Sequence, residues 1–240
     1  MKVVNSRVEQ AMNSTLRPRV KVCCIANWTE ARLAIDLGAS ALGLVSDMPS
    51  GPGVIPDDLI AEIAAAVPPP IATFLLTCER SASDIIAHHK RVRTTAIQMV
   101  DTPEEGTYAQ LRDELPGAKL VQVVHVTGPE SLYDAMTRAP HVDALLLDSG
   151  RRDLAVRELG GTGRPHDWRI SRKIREAVDV PVFLAGGLRV DNVHDAIAEV
   201  EPFGLDLCNG VRTDGQLDRA KLAPFMAAVR EAWLPDVDYP

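Results

Sequence analysis

Short apolar runs and helical segments alternate eight times along this chain, and that order constrains the fold more than any single motif. The runs read as strands are Val20–Ile25, Ala41–Val45, Ile71–Leu76, Ala96–Met99, Leu120–Val126, Ala144–Leu147, Val182–Ala185 and Gly204–Cys208. Each precedes a segment of helical character. These are Thr29–Leu37, Pro56–Ala66, a stretch capped by Ser83 and reaching Lys90, Thr107–Leu115, Pro129–Thr137, Trp168–Ala177, Asp191–Val200 and Asp218–Trp233. Pro56 and Pro129 stand at helix starts, where a missing N–H is harmless, and Gly38 and Pro116-Gly117 follow helix ends. Continuously apolar strands followed by amphipathic helices form a parallel sheet covered by helices. Eight such units predict an α/β protein, a single (β/α)8 TIM barrel over residues 20–240, preceded by an extension at 1–19. An open doubly wound sheet is the competing arrangement, and the count of eight favours the barrel.

Composition narrows the function. Hydrophobic residues make up 46% of the chain and charged residues 25%, enough apolar side chains for a sizeable core. The net charge of −7 and the 4% aromatic content argue against a nucleic-acid partner, since they offer neither a broad basic footprint nor a base-stacking surface. No apolar run approaches the roughly 18 residues of a membrane span, and residues 1–19 lack the apolar centre of a secretory signal. The four cysteines, Cys23, Cys24, Cys78 and Cys208, show no zinc-site spacing and are too sparse for a disulfide scaffold. Reduced thiols, a cytoplasmic location, no metal, no membrane partner and a monomer or homodimer are the expectations.

In a (β/α)8 barrel the chemistry sits at the C-terminal ends of the strands. There the sequence places Cys23, Gln98, His125, Asp148 and three small-residue loops: Gly160-Gly161-Thr162-Gly163, Gly186-Gly187 and Asn209-Gly210. Glycines at these ends let backbone N–H groups approach an anion, which predicts a phosphate site near strands 7 and 8. Asp148 directly follows Leu145-Leu146-Leu147, where partial desolvation suits a carboxyl to proton transfer; a helix cap or loop ion pair is the plainer alternative. Strand alternation puts Lys21 and Cys23 on one face, so Lys21 can favour a Cys23 thiolate, and sends Cys24 toward the helices as a packing residue. Strands 1 and 6 lie far apart around the ring, so Cys23 and Asp148 can address opposite sides of one substrate. His125 is the histidine whose strand-end position aims it at the mouth.

These residues resemble a known family. Lys21-Val22-Cys23, Leu146-Leu147-Asp148-Ser149, Leu159-Gly160-Gly161-Thr162-Gly163 with Asp167-Trp168, Leu184-Ala185-Gly186-Gly187-Leu188 and Asp206 through Val211 together resemble phosphoribosylanthranilate isomerase of tryptophan biosynthesis, over about Arg19 to Arg230. The resemblance implies a single barrel, no cofactor, a small phosphosugar substrate and an Amadori rearrangement. It implies Cys23 as general base, Asp148 as general acid, a phosphate cup at Gly161, Gly163, Gly187, Asn209 and Gly210, and Asp206 on a sugar hydroxyl.

The chain departs from the family pattern at several positions. Cys24 stands where the family has glycine, Ala26-Asn27 stand in place of Thr-Arg, and Gln98-Met99-Val100-Asp101 lacks a histidine. Pro52 occupies the place of the arginine that holds the anthranilate carboxylate, which makes Arg212 or Arg164 the expected replacement. Alternatives to the isomerase are a paralogue acting on another phosphorylated sugar and a non-catalytic phosphometabolite-binding protein.

Overall fold

The computed structural model describes residues 18–49, 51–150 and 166–232. Most of the expected extension, Ser50, the Gly160–Gly163 run and Arg164 lie outside the described residues. Among the described residues eight parallel strands close into a barrel in chain order, so the open sheet is set aside. The strands are β1 Arg19–Val22, β2 Ala41–Val45, β3 Ala72–Thr77, β4 Ala96–Met99, β5 Lys119–His125, β6 Ala144–Asp148, β7 Val182–Leu184 and β8 Gly204–Leu207. The helices between and after them are α1 Trp28–Asp36, α2 Asp57–Ala66, α3 Ala82–Val92, α4 Thr107–Glu114, α5 Ser131–Arg138, α6 Trp168–Ala177, α7 Val193–Val200 and α8 Arg219–Glu231. β1 pairs with β8 in register Val22↔Leu207, which closes the ring.

Two apolar layers follow from the period of the strands. Outward residues such as Val22, Leu42, Leu75, Ile97, Leu145 and Leu205 pack on Ile60, Ile85, Leu111, Ile174 and Phe225 of the helices. Each fully buried Leu or Ile in this layer contributes about 1.5–3 kcal/mol relative to an exposed one. Alternate residues fill the barrel: Ala41, Phe74, Leu76, Ala96, Val121, Val123, Ala144, Leu146 and Phe183. Phe74 and Phe183 meet edge to face, with ring centroids 6.0 Å apart.

Local signals set the ends of the elements. Asn27 caps α1 by accepting from the Glu30 N–H, and Asp167 and Asp218 cap α6 and α8 in the same manner. The cap of α3 is Ser81, not Ser83: its hydroxyl accepts from the Asp84 N–H, and the helix begins two residues earlier than expected. β1 ends at Val22, three residues short of the apolar run, because Cys24 turns into the left-handed region with φ 62°.

Candidate active site

The C-terminal ends of all eight strands surround a cavity of about 230 Å³. Its polar side carries Cys23 and Cys24 after β1, Asp148 at the end of β6, Gly186-Gly187 and Arg189 after β7, and Asp206 with Cys208-Asn209-Gly210 from β8. Its apolar side is Val45, Met48, Pro52, Leu76, Val100 and Val123. Six of the anticipated site residues, Cys23, Asp148, Gly187, Asp206, Asn209 and Gly210, therefore share one cavity. Gly161 and Gly163 fall outside the described residues.

Cys23 sits above a buried charge. Lys21 is inaccessible to solvent, its Nζ 2.8 Å from Asp206 Oδ1 and 5.4 Å from the centre of the Phe74 ring. Burial pushes the ammonium toward neutrality, but the Asp206 carboxylate and the neighbouring thiols outweigh it and hold the proton on Lys21. Gly43 of β2 makes room for this arrangement: a Cβ there would lie 2.8 Å from Cys23 Sγ and 3.1 Å from Lys21 Nζ. A hydrogen bond with Cys24 and the charge of Lys21 together hold the Cys23 thiol below its ordinary value, against the opposing effect of burial. A thiol so placed gives up its proton readily and can take one from carbon.

Asp148 enters the cavity at 8% exposure, and its Oδ1 accepts from the Ser149 N–H at 2.7 Å. Burial, helped by the like charge of Asp148, raises the Asp206 carboxyl above its ordinary value although Lys21 acts in the opposite direction. Asp148, Asp206 and the Cys23 thiol thus face a partly desolvated space, which suits transfer of protons to and from a bound substrate.

The loops after β7 and β8 are held close together. A Cβ on Gly210 would fall 2.1 Å from the Leu188 carbonyl oxygen, so only glycine fits there without parting the two loops. Asn192 ties the first loop to α7: its Oδ1 accepts from the Arg189 N–H at 2.8 Å and its Nδ2 donates to the Gly187 carbonyl at 3.0 Å. Arg189 is a lining cation that the sequence reading passed over, although it directly follows Gly186-Gly187-Leu188. Its guanidinium is aligned by Asp191, with Nε 3.0 Å from Oδ1.

Three expectations are corrected. Arg212 does not line the cavity; it is buried behind β1, where Nη1 and Nη2 donate to Glu30 at 3.0 and 2.9 Å and Nη2 also donates to the carbonyls of Cys23 and Cys24. It therefore shapes the backbone that carries Cys23, and its guanidinium lies outside the cavity lining. Cys24 is not a packing residue facing the helices. Its positive φ breaks the strand alternation and turns its thiol to the cavity wall, 2.8 Å from Cys208 Sγ. His125 is not a lining residue; its Nε2 turns aside to the Val100 carbonyl, 3.1 Å away.

Comparison with known proteins gives the same family from three directions. The family model described as N-(5'-phosphoribosyl)anthranilate (PRA) isomerase matches residues 20–228. The N-(5'-phosphoribosyl)anthranilate isomerase of Haloferax volcanii is 37% identical over 218 residues, covering 89% of this chain and 94% of that one. Among solved structures, phosphoribosyl anthranilate isomerase from Thermotoga maritima aligns with a TM-score of 0.75 at 25% identity, covering 89% of this chain and 99% of that one. The enzyme from Thermococcus kodakaraensis aligns with a TM-score of 0.72 at 26% identity and the same coverage. With its barrel, its cavity and these relatives in agreement, the chain belongs to the N-(5'-phosphoribosyl)anthranilate isomerase family.

Proposed function

We propose that this protein converts N-(5'-phosphoribosyl)anthranilate to 1-(2-carboxyphenylamino)-1-deoxyribulose 5-phosphate in tryptophan biosynthesis, with Asp148 as general acid and Cys23 as general base. The observation that carries the reading is that Cys23 and Asp148 enter one cavity whose rim is formed by Gly187, Asn209 and Gly210. The phosphate rests on that rim, where backbone N–H groups and the Arg189 guanidinium meet its charge. Asp148 protonates the furanose ring oxygen as the bond from that oxygen to C1 breaks, leaving a Schiff base between C1 and the aryl nitrogen. Cys23 thiolate takes the proton from C2, and the electrons of the C–H bond move to neutralise the iminium, giving an enolamine. Tautomerisation of the enolamine yields the ketose. Lys21 stabilises the thiolate beforehand, and Asp206 is available to a sugar hydroxyl through the oxygen that does not face Lys21.

The aromatic ring lies along Met48, Pro52 and Leu76. With proline in that loop, recognition of the ring leans on apolar contact more than on a charged clamp.

Loss of fluorescence from freshly prepared phosphoribosyl anthranilate tests the reading. Wild-type protein should consume it, and Cys23→Ser and Asp148→Asn should each turn over about 10²–10⁴-fold more slowly. No turnover by folded wild-type protein, or full activity in either variant, rejects the assignment.

A further inference from the structure

Beside Cys23 the cavity wall carries two more thiols, which exchange no proton with substrate in the proposed reaction. Cys24 follows β1 and Cys208 follows β8, and their Sγ atoms stand 2.8 Å apart. A disulfide bond measures about 2.05 Å, so the sulfurs need to close by less than 1 Å to join. The two residues are 184 apart in the sequence, and β1 and β8 are hydrogen-bonded neighbours right up to them, with the Cys23 N–H donating to the Leu207 carbonyl at 2.7 Å. The frame that would hold a disulfide is already built.

A second, independent observation is the backbone of Cys24. Its φ of 62° belongs to the left-handed region that favours glycine, so a side chain there is strained. Cys24 is buried with the inner apolar residues, and its strained backbone sets a thiol at the cavity wall with another thiol as its near neighbour. The conformation does aim the sulfur at Cys208. Access is also suitable: all four cysteines are free, and Cys208 is partly exposed at the mouth, where a small oxidant can reach it.

We infer that Cys24 and Cys208 form a peroxide-oxidisable dithiol, a modification site whose disulfide switches the neighbouring catalytic centre off. The Cys208 thiolate attacks one oxygen of hydrogen peroxide, and the O–O bond breaks to give a sulfenic acid and hydroxide; hydroxide and the proton shed by Cys208 make the first water. Cys24 sulfur then attacks the sulfenyl sulfur. The S–S bond forms as the S–O bond breaks, and the departing hydroxyl leaves with the Cys24 proton as the second water. Two thiols are oxidised by two electrons, one peroxide is reduced, and a dithiol reductant reverses the change. The link to catalysis is local: Cys24 directly follows Cys23 and both line the cavity, so drawing the Cys24 sulfur onto Cys208 reshapes the wall beside the catalytic thiol. This last link rests on the isomerase reading; the disulfide itself does not.

The test treats the purified full-length chain with a few equivalents of hydrogen peroxide, counts thiols, and maps cross-linked peptides by fragmentation mass spectrometry. Trypsin releases Cys23 and Cys24 together on 22–32 and Cys208 on 190–212, so fragmentation and variants must distinguish the partners. The expected result is a loss of two of the four thiols, a Cys24–Cys208 cross-link, and a fall in turnover of at least tenfold that dithiothreitol reverses. Cys24→Gly, which suits the backbone, and Cys208→Ser should abolish both the cross-link and the reversible loss. Cys23→Ser should still form the cross-link, so the site is read even in a chain without turnover. Absence of the cross-link in wild type, its assignment to Cys23, or a cross-linked protein with undiminished turnover would overturn the proposal.

Discussion

Lys21 Nζ and Asp206 Oδ1 meet at 2.8 Å beneath the cavity, joining the first strand to the last with a buried ion pair. The pair performs two separable tasks. It neutralises charges that could not otherwise stay in the barrel, and it presents a positive field to Cys23.

Lys21→Met should therefore do two things. The acidic limb of the kcat/KM profile, set by formation of the thiolate, should move to higher pH, because the cation that favours ionisation is gone. Stability should fall by about 3–5 kcal/mol, since Asp206 is left buried without its partner. Adding Asp206→Asn should restore much of the stability and leave the limb displaced. An unmoved limb in a folded Lys21→Met protein would mean that the thiol does not respond to this charge.

Gly210→Ala tests the phosphate rim. The new methyl would meet the Leu188 carbonyl oxygen, a backbone atom with little freedom to retreat. The loops after β7 and β8 must separate, and KM should rise at least tenfold with a smaller change in kcat, the pattern of lost uniform binding. Steady-state kinetics and inhibition by inorganic phosphate should show the same weakening.

Pro52→Arg adds a cation to the apolar wall at Met48 and Leu76. A charge-assisted hydrogen bond to the substrate carboxylate contributes about 1.5–3 kcal/mol, so KM should drop about tenfold or more. An unchanged KM would show that the carboxylate does not approach this loop.

Arg212 and Glu30 predict a stability effect with a definite pH dependence. Burial raises the Glu30 carboxyl, but Arg212 and the N–H groups of Leu217 and Ala26 outweigh it and hold it below its ordinary value of 4.5. A depressed carboxyl contributes stability that is fully present above pH 4.5 and is lost as pH falls through the lower folded value. Arg212→Met should cost about 3–5 kcal/mol near neutral pH, and Arg212→Met with Glu30→Gln less than that. Urea midpoints across pH 3–7 would show the wild-type curve bending downward below about 4.5 and the double variant flatter there.

His166 gives a second pH signature in a different window. Burial lowers its pKa from 6.5 to about 4, and its Nε2 stands 2.6 Å from the hydroxyl of buried Ser171. The unfolded chain takes up a proton below 6.5 that the folded chain refuses until about 4. Stability should thus decline across that interval, by on the order of 3 kcal/mol in total. His166→Gln should remove this part of the slope, and a slope unaltered by the substitution would refute the assignment.

The sequence made the barrel legible because both of its layers repeat. Period-two strands and capped helices, eight times over, admit few arrangements, and residues at strand ends such as Asp148 and Asn209 then reach the cavity by register alone. What escaped was conformation and long-range pairing. A positive φ is expected of glycine, so Cys24 read as a strand residue. The partner of Arg212 lies 182 residues away, and nothing local distinguishes a buried guanidinium from a solvated one. Ser81 and Ser83 offer the same capping hydroxyl, and only the geometry around Asp84 decides between them. Arg189 was hidden by its neighbours, since the glycines beside it drew the whole reading of that loop.

The seam between β1 and β8 has a consequence for how the protein comes into being. Cys23 leaves the ribosome well ahead of Asp206, Asn209 and Gly210, which lie far downstream in the sequence. Until β8 docks, Lys21 lacks its Asp206 partner and the part of the cavity rim formed by Asn209 and Gly210 is missing. Nascent chains that stop short of Gly204 are therefore chemically silent, however much of the helical shell has already packed. Maturation of the site coincides with the most non-local pairing in the fold, the one that loop-closure entropy makes slowest to form. Catalytic competence is in this sense a report that the ring has closed.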